Sequence, residues 1–301
     1  MAIQDAAELV AIRRRQRPFA IRFSKGILRF IRRKPLGAVG LFIILLMGFL
    51  AAAQPWVTFY DPNKFALKEA IQAPSLAHWL GTDDYGRDLW TRIVLGAQIS
   101  LMVGFGSVAM GSLSGALIGI VSAYYGGKVD TGIQRVMDAL MSIPTLILAL
   151  TIMAALGQST FNVILAIAIP QLPRSNRVVR SAALSVKNSE FAMAARAIGA
   201  TDLRIMAQHI MPQCVAPWII IATASLGVAI ISESSLSFLG LGVPPPHPSW
   251  GGMLSGRARE FYAVAPWLAI WPGVAVSMAV YGFNLFGDAI RDVLDPRLRG
   301  S

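Results

Sequence analysis

The stretch Leu36–Ala53, LGAVGLFIILLMGFLAAA, is a run of 18 apolar or small residues without a single charge. A helix of this length is just long enough to cross the hydrocarbon core of a bilayer. Ten of the 35 residues before it are Lys or Arg, the flank that the positive-inside rule places in the cytoplasm. The alternative is a signal peptide cleaved after residues 51–53. Because its basic leader would be too long for an n-region, we favour an uncleaved first transmembrane helix.

The composition of the whole chain agrees with a membrane protein. Of the 301 residues, 55% are hydrophobic and 14% are charged, against roughly 25% charged residues in soluble domains. A soluble globule could not cover its surface with so few charges, and a disordered chain would contain fewer apolar residues. The net charge of +11 would indicate nucleic-acid binding in a soluble protein. Because the basic residues are concentrated beside the first apolar run, the charge instead indicates contact with membrane lipid, and no nucleic-acid partner is expected.

Five further apolar runs follow the first. They cover approximately residues 99–124, 139–156, 162–179, 215–232 and 264–286. Pro144 lies in the run 139–156, and Pro170 and Pro173 interrupt the next one. The runs are continuous instead of alternating, so they predict helices and not the strands of a barrel. The sequence therefore predicts an all-α integral membrane protein with six transmembrane helices.

The basic residues predict the orientation of these helices. With the N-terminus in the cytoplasm, 21 of the 27 Lys and Arg residues lie on the cytoplasmic side and six lie in the two large outer loops, as the positive-inside rule requires. The predicted division of the chain is a basic cytoplasmic segment 1–35, a first transmembrane helix 36–53, a periplasmic loop 54–97, a five-helix core 98–286 that contains a cytoplasmic loop 188–212, and a cytoplasmic tail 287–301.

The cytoplasmic segment Glu190–Pro212, EFAMAARAIGATDLRIMAQHIMP, is the most informative loop. Its Ala-rich first half favours a helix, and Gly199 can adopt the left-handed conformation that ends one. Thr201 or Asp202 can cap a second helix, which we expect to run to residue 211 and to stop at Pro212.

The first of these two short helices is expected to expose Ala194, Ala195 and Ile198 together. A solvated loop has no reason to expose small and apolar side chains in this way, whereas a helix that lies in a groove of a partner does. The segment therefore predicts a docking surface for another protein.

This segment resembles the EAA loop of ABC-transporter permeases of the bacterial importer type. Ala194, Ala195, Gly199 and Pro212 fall in register with that motif, whereas its glutamate, isoleucine and leucine positions are occupied here by Met193, His209 and Met211. Three further stretches resemble the dipeptide and oligopeptide branch of this family: LGTDDYGRD at 80–88, SLSFLGLGVPPPHPSWG at 235–251 and NLFGDAIRDVLDP at 284–296. Together they cover most of residues 30–300.

The resemblance implies a type I importer permease in the bacterial inner membrane. It implies a second homologous permease subunit, one or two cytoplasmic ATPase subunits, and a periplasmic or lipid-anchored solute-binding protein. The chain contains no GxxxxGK[ST] motif. It is therefore expected to be a transport subunit and not an enzyme, with ATP and Mg²⁺ bound by its partners. Dipeptides and oligopeptides are the solutes that the resemblance implies first; a nickel chelate, glutathione, an opine or a sugar is the alternative within the same branch.

The resemblance also implies roles for particular residues. The residues expected to couple the chain to the ATPase are Glu190, Ala194, Ala195, Arg196, Gly199, Ala200, Asp202 and Pro212. The residues of the periplasmic signature are Gly81, Thr82, Asp83, Gly86, Arg87 and Asp88. The signature has two interpretations: a contact with the binding protein, or a capped interfacial helix with Thr82 or Asp83 as its N-cap, acidic residues in its first turn and Arg87 paired with an acid.

Glu233 lies near the outer end of the predicted span 215–232, and an ionisable residue at membrane depth is a functional candidate. It either lines or gates the translocation path, with Asn284 as a polar partner, or lies at the membrane interface. A stand-alone secondary transporter is a further alternative, because Glu233 could be its coupling group. His78, His209 and His247 are far apart in the sequence, so no metal site is expected.

Overall fold

The computed structural model describes residues 30–294, apart from the side chain of Arg257, and the regular secondary structure of this range consists of helices joined by turns and loops. Residues 1–29 of the predicted basic segment and residues 295–301 of the predicted tail lie outside the described residues. The α-helices are α1 (Pro35–Ala52), α2 (Gln54–Val57), α3 (Leu89–Tyr125), α4 (Gly127–Met141), α5 (Thr145–Leu156), α6 (Thr160–Ala168), α7 (Leu172–Lys187), α8 (Glu190–Ala197), α9 (Asp202–Ile205), α10 (Met211–Phe238), α11 (Trp250–Met253) and α12 (Trp267–Leu294).

Four helical stretches of the described chain are long and apolar enough to cross a membrane: Pro35–Ala52, Leu89–Tyr125, Asp202–Phe238 and Trp267–Leu294. A fifth candidate is the pair α4 and α5, whose axes differ by 92°. The bend falls just before Pro144, which lacks the N–H that a continuous helix would need. The run 139–156 is therefore a broken element and not one straight helix.

The run 162–179 is likewise divided. Helix α6 ends at Ala168, a 3₁₀ turn covers Ile169–Gln171, and α7 begins at Leu172. Pro170 and Pro173 lie in this turn and in the first turn of α7, where their missing N–H groups cost least. The described elements thus support four or five spans by length and composition, and the sixth crossing stays a prediction.

Helix α3 forms the centre of the bundle and packs against α1, α6, α7 and α10. Small residues allow these close approaches. A Cβ atom on Gly119 would lie 2.7 Å from the carbonyl oxygen of Asn176 in α7. Between α1 and α12, a Cβ atom on Gly40 would lie 2.6 Å from the carbonyl oxygen of Gly282.

The predicted helix stop at Pro212 is wrong. The chain stays helical from Asp202 to Phe238, with a π turn at Met206–Ile210 directly before α10. Pro212 lies in the first turn of α10. In a regular α-helix its ring would clash with the carbonyl group four residues earlier; the wider π turn at that point lets the helix continue.

Candidate functional site

The loop 188–212 has the helix–break–helix form that its sequence predicts. Gly199 has a φ of +82°, and its N–H donates to the Arg196 carbonyl at 3.0 Å. The N–H of Ala200 donates to the Ala195 carbonyl at 3.0 Å. These two bonds form a Schellman motif, so the predicted break at Gly199 is confirmed. Thr201 is the N-cap residue of α9, although its side chain makes no capping hydrogen bond.

One side of this loop is anchored in the bundle. Ala195 is 5% exposed and belongs to a buried cluster with Ile205, Met206 and Ile210 of the following helix. The expected exposure of Ala195 is therefore wrong, because the second helix folds back against this face of α8. The same cluster includes Ala116, Ile120 and Tyr124 of α3.

The other side of the loop is exposed. Ile198 is 86% exposed and Leu203 74% exposed, and Phe191 and Met193 also present apolar side chains to the outside. We call these four residues the apolar quartet. Of the residues expected to couple to an ATPase, Ala200 is half-buried and Ala195 is buried, and the exposed ones are Glu190, Ala194, Arg196, Gly199, Asp202 and Pro212. The quartet was not predicted in full, since only Ile198 among its members was expected to be exposed.

Polar contacts fasten the loop to the end of α3. The hydroxyl of Tyr124 donates to Oδ1 of Asp202 at 2.6 Å, and the guanidinium carbon of Arg196 lies 5.7 Å from the centroid of the Tyr124 ring. Lys187 of α7 donates to the Ala123 carbonyl at 3.1 Å. Sequence reasoning missed Tyr124, because an aromatic residue near the end of an apolar run is typical of any membrane interface.

At the opposite end of the bundle, Asp88 is the N-cap residue of α3. Its Oδ2 accepts hydrogen bonds from the Thr91 N–H at 2.8 Å and from the Thr91 hydroxyl at 2.7 Å, and its Oδ1 lies 3.0 Å from Nδ1 of His78. The expected cap at Thr82 or Asp83 is therefore wrong, as are the acidic residues expected in the first turn. The helix begins five residues later than a cap at Asp83 implies, because residues 82–88 fold as a turn closed by a bridge between Thr82 and Asp88.

The remaining signature residues hold this turn together. Asp83 accepts from the backbone N–H groups of Tyr85 and Arg87 at 2.9 Å and from Nε of Arg87 at 2.7 Å. The expected pairing of Arg87 with an acid is thus present. Gly81 and Gly86 have φ values of +82° and +75°, which disfavour any other residue type. This arrangement agrees with a structural role for the signature.

Thr82 joins the same turn to the loop before it. Its hydroxyl donates to the Glu69 carbonyl and accepts from the N–H of Gln72 at 2.8 Å. Arg92, on the first turns of α3, donates to the Pro62 carbonyl at 2.9 Å. Thr82 is fully buried and Arg92 is 8% exposed. The loop 54–88 is therefore a packed cap on the end of α3.

Glu233 is completely buried inside the bundle. Its carboxyl group accepts hydrogen bonds from Ser237 at 2.8 Å and from Ser100 of α3 at 3.2 Å, and it also interacts with Ser249. Ser249 is the N-cap residue of α11 and lines a cavity of about 480 Å³ between the loop 54–88 and the loop after α10. The carboxyl group thus joins three elements, α3, α10 and α11. Asn284, the expected polar partner, is not among the described residues that contact this carboxyl group. The depth of Glu233 in the membrane stays a prediction.

Asn284 lies on an exposed face of α12. Its Oδ1 is 2.6 Å from the position of a Cβ atom on Gly227 of α10. Along the same face towards the end of α12 lie Asp288 and Arg291, which line a cavity of about 650 Å³ formed by α7, α10 and α12. Arg174 of α7 lines its far side. Asn284 therefore lies on an exposed face of α12, whereas Glu233 is buried between α3, α10 and α11.

The fold and these contacts define a multi-pass helical membrane protein with an anchored, apolar-faced loop at one end. Among the described residues, no group of three or more His, Cys, Asp or Glu side chains could hold a metal ion. Residues 115–300 match the family described as the binding-protein-dependent transport system inner membrane component. This match covers more than half of the chain, so the protein belongs to that family of ABC-importer permease subunits and lies in the inner membrane.

Relatives and a solved structure agree with this assignment. A putative peptide transport system permease protein of Brucella suis biovar 1 is 43% identical over 271 residues, 90% of each chain. A glutathione transport system permease protein of Pectobacterium atrosepticum is 40% identical over 271 residues, again 90% of each chain. A chain of the MetNI methionine ABC transporter in an inward-facing conformation superimposes with a TM-score of 0.55 at 18% identity. It covers 69% of this chain and 97% of its own length, which shows the type I importer fold.

Proposed function

We propose that this permease subunit carries dipeptides or oligopeptides across the inner membrane and is driven by a cytoplasmic ATPase that docks on residues 190–212. The observation that carries the proposal is the apolar quartet, which a soluble surface would not expose and which a buried cluster holds in place. Identity of 43% over 90% of the chain to a peptide permease supports the choice of solute.

The proposed topology has six crossings with the N-terminus in the cytoplasm. The run 139–156, which is the end of α4 together with α5, supplies one crossing, and the divided run α6 and α7 supplies another. The proposed segments are those of the sequence: 1–35, 36–53, 54–97, 98–286 with the coupling loop 188–212, and 287–301. The distribution of Lys and Arg over the loops supports them.

Single cysteines test this topology. Leu76 is 98% exposed in the proposed periplasmic loop, and Ile198 is 86% exposed in the proposed cytoplasmic one. In a Cys214→Ser background, an impermeant maleimide added to intact spheroplasts should label Leu76→Cys and leave Ile198→Cys unlabelled until the membrane is opened. The reverse pattern would refute the orientation.

Docking of the ATPase is tested on the quartet. Ile198→Asp and Leu203→Asp each place a carboxylate on the proposed contact surface without touching the buried cluster. We expect both variants to insert normally but to lose the ATPase on affinity purification. Leu76→Asp is the control, because Leu76 is a highly exposed leucine in the loop at the opposite end of the bundle, and this variant should retain the ATPase. Retention in all three variants would refute docking at this loop.

The proposed translocation path runs along the face of α12 that carries Asn284. Its polar end, which is lined by Asp288, Arg291 and Arg174, suits the passage of solutes that bear both charges, as peptides do. We propose that the cavity of about 650 Å³ is the cytoplasmic end of that path. Asn284→Leu should lower solute uptake while ATPase capture stays at the wild-type level.

Glutathione is the second candidate solute, since a permease named for it is 40% identical. Uptake into proteoliposomes that contain the purified complex and its binding protein separates the two candidates. Competition by unlabelled dipeptides but not by glutathione supports dipeptides and oligopeptides, and the opposite result supports glutathione.

A further inference from the structure

The hydroxyl of Tyr124 makes a hydrogen bond that joins the coupling loop to the longest helix of the bundle. Tyr124 is the penultimate residue of α3 and is 6% exposed. Its hydroxyl donates to Oδ1 of Asp202 at 2.6 Å. Asp202 is the first residue of α9, so the bond connects α3 to the second helix of the loop.

The ring of Tyr124 also contacts the first helix of the loop. The guanidinium group of Arg196 in α8 lies 5.7 Å from the ring centroid. The ring shares one buried cluster with Ala195 of α8 and Ile205 of α9. One side chain of α3 is thus held by both short helices, on either side of the break at Gly199.

This contact differs in kind from the apolar contacts around it. Apolar contacts are non-directional and allow one helix to slide over another. A hydrogen bond to a carboxylate is short and directional and is stronger than one between neutral groups, so it fixes the position of α9 against α3. Helix α3 is continuous for 37 residues, from the cap at Asp88 to Tyr125.

We propose that Tyr124 is the positioning residue through which movement of the coupling loop is transmitted to α3. The proposal rests on the proposed docking of an ATPase to residues 190–212. When the docked loop moves, the bond from Tyr124 to Asp202 makes the end of α3 move with it. Without the bond, the loop shifts over the apolar cluster and α3 stays behind.

The experiment compares Tyr124→Phe with Tyr125→Phe in the complete transporter. Phenylalanine keeps the ring in the cluster and removes only the hydroxyl. Tyr125 is the matched control: it is 52% exposed, its ring contacts that of Tyr124 at 5.4 Å, and no described residue forms a hydrogen bond with its hydroxyl. Complexes captured with their partner permease and ATPase are reconstituted with the binding protein, and import of radiolabelled alanyl-alanine is measured per ATP hydrolysed.

We expect Tyr124→Phe to capture the ATPase normally and to hydrolyse ATP at the basal rate. The amount of dipeptide imported per ATP should fall by a factor of roughly ten or more, which is the factor that loss of one charge-assisted hydrogen bond implies. Asp202→Asn keeps an oxygen that accepts from the Tyr124 hydroxyl, so it should fall between wild type and Tyr124→Phe. Tyr125→Phe should match the wild type.

Two outcomes would overturn the inference alone. Wild-type import per ATP in Tyr124→Phe would show that the bond transmits nothing. Loss of ATPase capture in Tyr124→Phe would show that the bond shapes the docking surface instead. A wild-type chain that captures no ATPase would refute the proposed function, and the inference with it, so the two failures are distinguishable.

Discussion

Replacing Glu233 by leucine should loosen the bundle at the end opposite to the coupling loop. Leucine has nearly the volume of glutamate but no hydrogen-bond acceptor. Ser100 and Ser237, which are 0% and 5% exposed, would lose the carboxyl oxygens to which they now donate at 3.2 and 2.8 Å. A buried hydroxyl group left without a partner costs about 1–3 kcal/mol.

The lower end of that range applies here. Each serine can turn its hydroxyl to the carbonyl group four residues earlier on its own helix, which recovers part of the loss. For the two serines together we expect Glu233→Leu to lower the free energy of unfolding by about 2 kcal/mol. Glu233→Gln keeps an acceptor oxygen in nearly the same place and should cost less than about 1 kcal/mol.

The assay is thermal unfolding of the detergent-solubilised complex, followed by intrinsic fluorescence, beside dipeptide uptake. We expect the melting temperature of Glu233→Leu to fall by several degrees and that of Glu233→Gln to stay close to wild type, with uptake following stability. Ser232→Ala is the matched control, because the Ser232 hydroxyl donates only to the Val228 carbonyl of its own helix. A Glu233→Leu variant with wild-type melting would refute this reasoning. Loss of uptake in a stable Glu233→Gln variant would instead restore Glu233 to the translocation path.

Three further perturbations test the contacts that shape the site. Gly199→Ala forces an L-residue into a φ of +82° at a cost of about 1–2 kcal/mol, so cleavage of the loop by added protease should accelerate while the melting temperature of the bundle is unchanged. Asp88→Ala removes the cap of α3 and the partner of His78, and its melting temperature should fall by the equivalent of about 0.5–2 kcal/mol; an unchanged value would contradict the role of the cap. In Gly40→Leu the new Cβ atom would lie 2.6 Å from the Gly282 carbonyl oxygen, so α1 and α12 must move apart. A cysteine crosslink between these two helices that forms with glycine at position 40 should then be lost.

The parts of the site that could be predicted are those governed by local rules. Gly199 ends α8 because glycine tolerates the left-handed conformation without strain, and its neighbours on both sides favour helix. The expected pairing of Arg87 with an acid is also present, although Asp83 provides it within a turn and not on a helix. Membership of the permease family was likewise carried by short ordered motifs, which do not depend on how the helices pack.

The parts that could not be predicted depend on tertiary contacts. Ser100 and Glu233 are 133 residues apart in the chain, and neither periodicity nor hydropathy indicates which helices bring them together. Distance along the helix placed Glu233 near the interface, because that estimate took its span to begin at residue 215. The helix in fact begins at Asp202, since the π turn at Met206–Ile210 accommodates Pro212.

The continuity of the helix through Pro212 changes how the two ends of the bundle are related. Had the helix stopped there, the coupling loop would be a separate unit joined to the membrane span by a flexible turn. Instead the loop residue Asp202 and the buried Glu233 belong to one helical stretch of 37 residues, and α3, also of 37 residues, runs beside it. The two stretches are linked by Tyr124 with Asp202 near one end and by Ser100 with Glu233 near the other. Both links are hydrogen bonds to a carboxyl group between otherwise apolar or small-residue surfaces. If an ATPase docks on the loop as proposed, these two bonds are the directional contacts that would keep the two helical stretches together when the loop moves.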